Sequence, residues 1–344
     1  MTFDEADALF GKMLDGGMSD AEIAETLITL AERGESAAEI AGAASAMRSR
    51  MIRVVAPDGA IDVCGTGGDG AHSLNVSTAV AIVVAACEVP VAKHGNRAAS
   101  SKAGAADTLE ALGLNLDRAM ESAEATLADL GICFLFAQKH HPALARIAPI
   151  RKSLGRRTIF NLIGPLANPA GVTRQLIGVA TSELHTRYAE AMLLLGSEGF
   201  MIVSGSLTKT IRPEHKEMDE ISVSGFTCIV EYPSRTDQSH KPIGHELGIS
   251  YTGTNPEYGG LSYHHRSAIK GGDARYNALA LRRLLAGERE TKQDCAYRDA
   301  VLINAAGALM VAGHANDWRS GVEEAAEAID RGLAKALLDC WVAY

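Results

Sequence analysis

Paired cysteines, excess positive charge and long apolar runs are all missing from this 344-residue chain. Its six cysteines are scattered and none forms a CxxC pair, which argues against a disulfide framework or a thiolate metal site. Reduced thiols are typical of a cytoplasmic protein. With 33 Lys and Arg against 42 Asp and Glu, the formal net charge is -9. A generic binder of nucleic acid or of acidic membrane surfaces is therefore not expected.

Membrane segments and signal peptides are not expected either. The longest uninterrupted apolar run covers residues 79–87, less than half of the roughly 20 residues that a membrane-spanning helix needs. Residues 1–10 are acidic and lack the basic region of a signal peptide.

The first fifty residues read as helices. Thr2 with Glu5, Ser19 with Glu22, and Ser36 with Glu39 each fit a capping box, and apolar residues at helical spacing follow each pair. This segment is acidic, with ten Asp and Glu against four Lys and Arg. We predict a small all-helical domain over 1–58, which serves packing or dimer formation rather than chemistry.

The sequence pattern changes near Ile61, where short apolar runs begin to alternate with helical patterns. The runs are IDVCG, VPVAKHG, ICFLFAQ, RQLIGVA and GFMIVSG. This alternation predicts an α/β domain over 59–344 with a central, mainly parallel sheet flanked by helices. After GFMIVSG the pattern breaks, and the polar segment 206–217 is expected to be a loop or an insertion.

Two stretches without acidic residues stand out in this acidic chain. Residues 131–181 hold seven Lys and Arg, and residues 89–106 hold Lys93, Arg97 and Lys102. Such basic islands either hold an anion or pair with acids elsewhere, and charge alone does not decide between the two.

The strongest local signal is the glycine-rich segment CGTGGDG, residues 64–70, directly after the first predicted strand. Glycines at a strand end let the backbone approach a ligand, and their N–H groups can form an anion-binding nest. No Lys-Ser/Thr follows, so the segment is not a P-loop, and its spacing differs from the dinucleotide GxGxxG. A structural turn is the commoner explanation of such glycines. Asn75, Ser77 and Thr78 follow at a predicted helix start, where they either cap the helix or bind phosphate.

A second candidate anion cradle follows the next strand. Lys93, Arg97, Ser100 and Ser101 precede a predicted helix over 105–112. Two cradles at the ends of neighbouring strands suit a ligand with two separated phosphate groups. His94 between them is by itself more often structural.

Several longer motifs resemble the anthranilate phosphoribosyltransferase family. They are GTGGDG, NVST, KHGNRAASSKAGAADTLEALG, HHPAL, RKSLGRRTIFNLIGPLANPAG and LINAAGALMVAG, together with the later pair Asp219-Glu220. The resemblance covers most of the chain, and the bare fold is shared with pyrimidine nucleoside phosphorylases. It implies an enzyme of tryptophan biosynthesis, in which the amine of anthranilate displaces pyrophosphate from phosphoribosyl pyrophosphate with the help of Mg²⁺. It also implies a homodimer and a helical domain completed by helices within about 140–158.

The resemblance implies roles for individual residues. Phosphoribosyl pyrophosphate would be bound by Gly65, Gly67, Gly68, Asp69, Ser73, Asn75, Ser77, Thr78, Lys93, Arg97, Ala99, Ser100 and Ser101. Two Mg²⁺ ions would be held by Ser77, Asp219 and Glu220. Anthranilate would be bound by Gly65, His94, Asn96, His141, Arg151 and Gly164, with Arg151 on its carboxylate, because a guanidinium matches a carboxylate bidentately.

No general base is assigned, because an aryl amine needs little help once the sugar carbon is cationic and its own ortho carboxylate can take the proton. Gly164-Pro165 would form a hinge between the domains. For His140-His141-Pro142 the ordinary alternative is a helix start with exposed imidazoles.

One segment departs from the family's pattern. Residues 203–220 are longer than the usual turn, lack its His, and place Met218 before Asp219. Two other functions stay open, a nucleoside phosphorylase and a non-enzymatic nucleic-acid-binding relative. The motifs KHGNRAASS and Arg151 with Gly164-Pro165 argue against the first, and the net charge of -9 argues against the second.

Overall fold

The computed structural model describes residues 1–98, 101–209, 217–233 and 247–344. Its helices are α1 (Phe3–Leu14), α2 (Asp20–Arg33), α3 (Ala37–Arg48), α4 (Val76–Ala86), α5 (Ala105–Leu112), α6 (Leu116–Glu121), α7 (Ala123–Leu130), α8 (Ala137–His140), α9 (Leu144–Leu154), α10 (His185–Leu194), α11 (Ala274–Leu285), α12 (Lys292–Ala312), α13 (Trp318–Asp330) and α14 (Leu333–Ala343). Its strands are β1 (Ile61–Gly65), β2 (Val91–Gly95), β3 (Ile132–Phe136), β4 (Arg174–Gly178), β5 (Gly199–Ser206), β6 (Glu217–Met218), β7 (Thr227–Tyr232) and β8 (Ser250–Thr254).

The amino-terminal helices begin where their capping residues predict. Thr2, Ser19 and Ser36 cap α1, α2 and α3, and all three capping boxes are formed in both directions. The apolar sides of these helices share a hydrophobic cluster with Ile147 and Ile150 of α9. A helix of the predicted 140–158 region thus packs on the amino-terminal bundle, while the division at residue 58 stays a prediction.

One mixed sheet forms the centre of the larger part of the chain. The strand order is β3-β2-β1-β4-β5-β7-β8, with β6 beside β5. Strands β1 to β5 run parallel, and β6, β7 and β8 pair antiparallel. The expected α/β class with a mainly parallel sheet is confirmed, and each of the five apolar runs contains a strand.

The antiparallel strands β6 to β8 were not predicted. TCIVEY and SYTGT are short and partly polar, and both follow the segment where the pattern breaks. Pairing with β5, rather than an apolar run of their own, places β6 and β7 in the sheet, and β8 pairs with β7.

One helix, α12, bears on the expectation that no segment crosses a membrane. Among the described residues, this 21-residue helix meets the criterion by length and composition. Charged residues near its start and Asn304 keep its uninterrupted apolar runs short, whereas mean hydropathy averages over them. In the fold, 83% of the apolar 18-residue stretch of this helix is buried, and α12 packs against α4 and β4 as a core helix.

Parallel strands bring their carboxyl ends to one edge of the sheet. At this edge β1 ends at Gly65, β2 at Gly95 and β4 at Gly178, and the helices α4 and α5 begin close by. The two predicted anion cradles therefore belong to the same edge.

Candidate active site

The glycine-rich loop after β1 contains consecutive residues in left-handed conformations. Gly67 and Gly68 have φ values of +71° and +82°, which residues with a side chain rarely adopt. A Cβ on either residue would meet no atom within 4 Å, so conformation rather than space requires glycine here. The Gly67 N–H donates to a carboxylate, which is the kind of anion contact that an anion-binding nest makes.

Asp219 lies directly against this loop. Its Oδ2 accepts the Gly67 N–H at 2.7 Å, and its own N–H donates to Asp69 Oδ2 at 3.4 Å. A Cβ on Gly65 would overlap the Asp219 carboxylate, and one on Gly178 would overlap its backbone. Gly65 thus makes room for Asp219. Burial, and then the charge of Asp69, raise the pKa of Asp219 to about 7.

Glu220 reaches the start of α4 from the same turn. The Ser77 backbone N–H donates to its carboxylate, while its Oε2 is buried and has no hydrogen-bond partner. Burial raises the pKa of Glu220 well above its usual range, and the charges of Asp219 and Asp69 add to this effect. A buried carboxylate oxygen without a donor costs free energy unless a proton or a cation satisfies it.

Lys93 completes this half of the site. Its ammonium is buried and donates to the Val63 carbonyl at 2.8 Å and to Ser77 Oγ at 3.4 Å. Burial lowers the pKa of Lys93, and the carboxylate of Asp62 opposes this shift. Ser77 therefore lies between a cationic group and the carboxylate of Glu220.

These residues fit a divalent cation. The described residues contain no group of three or more His, Cys, Asp or Glu arranged to hold a metal. Mg²⁺, however, commonly takes only one or two protein carboxylates and completes its octahedral shell with water and substrate phosphates. The unpartnered oxygen of Glu220, the neighbouring Asp219 and the Ser77 hydroxyl are suitable hard donors for such an ion.

Three other residues that are predicted to bind phosphoribosyl pyrophosphate lie near the start of α4. Asn75 caps the helix by position, but its side-chain Oδ1 accepts from Thr108 Oγ1 at 2.6 Å and Asn277 Nδ2 at 2.8 Å. The Thr78 hydroxyl is buried and has no hydrogen-bond partner. Ser73 is half-buried and forms an isolated antiparallel bridge with Lys270. Asn75 thus also ties the start of α4 to α5 and α11.

The second cradle is more exposed. The Arg97 guanidinium forms ion pairs with Asp107 at 2.8 Å and Glu110 at 2.5 Å, and it lies over the Phe136 ring. The Ser101 hydroxyl donates to the Ala103 carbonyl at 3.3 Å. Both ion pairs use Nη1, so the N–H groups of Nη2 and Nε remain as donors for a phosphate.

Ala99 and Ser100, which are also predicted to bind phosphoribosyl pyrophosphate, lie outside the described residues. So do residues 210–216 of the segment 203–220 that departs from the family's pattern.

Two buried imidazoles meet beside β2. His94 Nε2 and His141 Nε2 are 3.3 Å apart, and His94 Nδ1 is 3.1 Å from the Gly164 carbonyl. His141 also bonds to the Ala167 carbonyl. Burial lowers the pKa of His94 to about 3 and that of His141 to about 4. The alternative of exposed imidazoles at the start of a helix is wrong, because His140, the last residue of α8, and His141, directly after it, are both buried.

These contacts constrain the protons of the pair. The Gly164 carbonyl only accepts, so His94 Nδ1 carries the proton in this contact. A neutral His94 then accepts at Nε2, where His141 Nε2 can donate, so two neutral imidazoles satisfy both contacts.

Arg151 differs from the other cations of the acid-poor stretch 131–181. It is half-buried and lies over the Phe160 ring, and no carboxylate in the described part of the chain pairs with it. Burial lowers its pKa. Most of the other Lys and Arg side chains of this stretch have ion-pair or hydrogen-bond partners. These are Lys139 with Asp117, Arg156 with Glu32, Arg157 with Glu35, Arg146 with the Gly16 and Met18 carbonyls, and Arg174 with the Val311 carbonyl.

Gly164 and Asn96 complete the predicted acceptor residues. Gly164 has an ordinary helical conformation, with φ of -50° and ψ of -55°, and a Cβ there would meet no atom within 4 Å. Open space therefore faces Gly164 next to His94. Asn96 is exposed, and its Oδ1 accepts the Arg97 N–H at 2.8 Å.

Two supporting residues were missed by sequence reasoning. The Asp62 carboxylate is fully buried. It accepts hydrogen bonds from the backbone N–H of His94 at 3.1 Å and from the side-chain amide of Asn168 at 2.8 Å. The Asn304 side chain of α12 accepts from the backbone N–H of Ile221 and donates to the Ile221 carbonyl. Ile221 directly follows Glu220, so Asn304 holds the backbone next to that carboxylate in place. In each case the signal was a lone polar residue inside an otherwise apolar strand or helix.

Comparison with known proteins assigns this site to a class. Residues 57–335 match the family model "Glycosyl transferase family, a/b domain", and residues 1–51 match "Glycosyl transferase family, helical bundle domain". Both models describe glycosyl transferases with the helical and α/β parts seen here.

Individual relatives and solved structures that are similar to this chain identify one family within this class. The chain is 59% identical to an anthranilate phosphoribosyltransferase of Novosphingobium aromaticivorans over 98% of this chain and 95% of the relative. A crystal structure of that enzyme from Thermus thermophilus is similar with a TM-score of 0.86 and 38% identity, covering 100% of this chain and 95% of the other. The Saccharomyces cerevisiae enzyme in complex with PRPP and Mg has a TM-score of 0.83 and 26% identity, at 99% and 92% coverage. The chain therefore belongs to the anthranilate phosphoribosyltransferase family.

Proposed function

We propose that this enzyme transfers the phosphoribosyl group of phosphoribosyl pyrophosphate to the amine of anthranilate and releases pyrophosphate. The observation that carries the proposal is the contact of the Asp219 carboxylate with the glycine-rich loop, beside the unpartnered oxygen of Glu220. It combines backbone donors for phosphate with ligands for a cation in one place. The complex of the yeast relative with PRPP and Mg supports the same pairing of ligands.

The donor half would bind both charged ends of the substrate. The loop at Gly67, Gly68 and Asp69, with the start of α4, would hold the pyrophosphate, and Lys93 adds a buried positive charge. Ser101 and Arg97 line the second cradle, near the start of α5. When Mg²⁺ is bound, it supplies the charge neutralisation that a departing pyrophosphate needs. Ser77, Asp219 and Glu220 would hold two such ions.

The acceptor half would use a separate positive group. Arg151 has no acid partner among the described residues, so its guanidinium is available for the carboxylate of anthranilate. His94, His141, Asn96 and the open space at Gly164 would surround the aromatic ring. The acceptor nitrogen attacks the anomeric carbon as the bond to pyrophosphate breaks, and the main task of the residues is to orient both reactants.

The decisive experiment follows the fluorescence of anthranilate. The purified enzyme with phosphoribosyl pyrophosphate and Mg²⁺ should consume anthranilate, and omission of Mg²⁺ should stop the reaction. Parallel reactions with uridine or thymidine and inorganic phosphate test the nucleoside phosphorylase alternative. Persistent anthranilate fluorescence with all components present, or phosphorolysis of a nucleoside, would refute the proposal.

Two further properties belong to this proposal. The six free cysteines suit the reducing cytoplasm, and the resemblance implies a homodimer through the helical domain. Light scattering on the eluting peak of a size-exclusion column should give twice the 36.2 kDa mass of the chain. A monomeric mass under assay conditions contradicts the dimer.

A further inference from the structure

Residues 162–168, which we call the strap, lie between α9 and β4, and side chains from other elements donate to most of their carbonyl groups. Five side chains bond to five of these oxygens: Tyr188 to Leu162 at 2.8 Å, His94 to Gly164 at 3.1 Å, Gln175 to Pro165 at 2.8 Å, Arg48 to Leu166 at 2.6 Å, and His141 to Ala167.

The five groups come from separate parts of the fold. Arg48 ends α3 in the amino-terminal bundle, Tyr188 belongs to α10, and Gln175 to β4, whereas the two histidines lie after α8 and in β2. Tyr188 and Gln175 are almost fully buried. The strap therefore cannot shift without breaking contacts to several elements at once, since interiors are closely packed.

Two of the five groups belong to the proposed acceptor pocket. The Gly164 carbonyl requires a proton on His94 Nδ1, and the Ala167 carbonyl accepts from the His141 ring. The position of the strap thus influences the orientation of both rings and the tautomer of His94. Gly164 itself faces open space, so a strap displacement also changes the shape of the pocket.

We propose that the strap positions the anthranilate-binding half of the site, and that Tyr188 and Gln175 are positioning residues that act through His94, His141 and Gly164. This proposal rests on the proposed function. It assigns no contact with substrate to either residue. It also replaces the idea of Gly164-Pro165 as a free hinge by that of a segment held in place from both sides.

The test compares Tyr188→Phe and Gln175→Met with the wild type. Both substitutions keep the shape of the side chain and remove its donor, which leaves a buried carbonyl unpaired. We expect the KM for anthranilate to rise roughly 3- to 30-fold, as one lost hydrogen bond allows, with the KM for phosphoribosyl pyrophosphate changed less than about two-fold. Calorimetric titration with anthranilate should show the same loss of affinity.

A matched control separates positioning from stability. Arg282 donates to the Leu112 carbonyl at 2.6 Å, far from the strap, so Arg282→Met also removes a donor to a backbone carbonyl. It should lower the melting temperature without a selective change in KM. Arg48→Lys keeps a cationic donor and should stay closer to the wild type than Arg48→Met.

The outcomes are distinguishable. If Tyr188→Phe and Gln175→Met change both KM values equally, or only kcat and the melting temperature, the strap has no positioning role. If the wild type itself does not consume anthranilate, the proposed function fails and this proposal fails with it.

Discussion

The Gly67 N–H donates to Asp219 Oδ2 at 2.7 Å, across 152 positions of the sequence. This hydrogen bond joins a nest for phosphate to a carboxylate for a cation. It also shows that the segment leading to Asp219, although it departs from the family's pattern, delivers the carboxylate to the loop. Predictions for the site start from this contact.

Removing the carboxylates should change the metal requirement. The double variant Asp219→Asn, Glu220→Gln keeps the shape of both side chains but removes the charge that attracts Mg²⁺. We expect the Mg²⁺ concentration for half-maximal activity to rise at least roughly ten-fold, equivalent to about 1.4 kcal/mol. Titration with Mn²⁺, followed by its paramagnetic resonance, should show weaker binding to the free enzyme. Glu217→Gln is the control, because Glu217 bonds to Ser182 rather than to the site. An unmoved midpoint in the double variant means that other groups bind the metal.

Arg151→Ala should weaken the use of anthranilate. A guanidinium that pairs with a substrate carboxylate in a partly desolvated pocket contributes roughly 2–4 kcal/mol, or about 30- to 1000-fold. The loss should fall on the kcat/KM for anthranilate and spare the KM for phosphoribosyl pyrophosphate. Arg156→Ala serves as the control, since Arg156 pairs with Glu32 at the surface. Unchanged kinetics in Arg151→Ala would place the anthranilate carboxylate elsewhere.

Gly164→Ala should separate stability from binding. Gly164 has a helical conformation directly before Pro165, which residues with a Cβ adopt less readily, although its Cβ would meet no atom within 4 Å apart from its chain neighbours. We therefore expect alanine to lower the melting temperature modestly. The added methyl group would enter the open space that we assign to anthranilate and raise its KM. A folded variant with unaltered anthranilate KM would show that this space is not the pocket.

Acidification should destabilise the fold partly through His185. This imidazole is buried 3.0 Å from Ser204 Oγ, and burial lowers its pKa from 6.5 to about 4. Between these two pH values the unfolded chain binds a proton that the folded chain does not, so stability falls as the pH decreases and is constant above about 6.5. The contribution is at most about 1.4 kcal/mol per pH unit. In urea unfolding between pH 7 and 4.5, His185→Gln should reduce the slope.

The control for this experiment is a substitution at an exposed histidine. His72 has a φ of 51°, which asparagine tolerates, so His72→Asn should retain the slope of the wild type. Equal slopes in His185→Gln and the wild type would show that His185 does not contribute.

Local patterns accounted for much of the fold. The capping boxes at Thr2, Ser19 and Ser36, the helices α4 and α5, and the five parallel strands all follow from signals within a few residues of one another. The strands β6 to β8 were missed because they depend on β5 and on each other. The exposure of the imidazoles at His140 and His141 was also not readable, because it depends on elements packed from elsewhere.

The amino-acid sequence by itself determined the class of fold, the glycine-rich loop, the basic residues and the family. It did so because these are properties of spacing and residue type. Only the tertiary structure decided which groups are free: Arg151 lacks an acid partner among the described residues, whereas Arg97 is engaged by Asp107 and Glu110. It also brought Asp219 to Gly67 and the strap to both imidazoles. Such pairings join residues far apart in the chain, and they exist only once the strand order of the sheet places those residues at one edge.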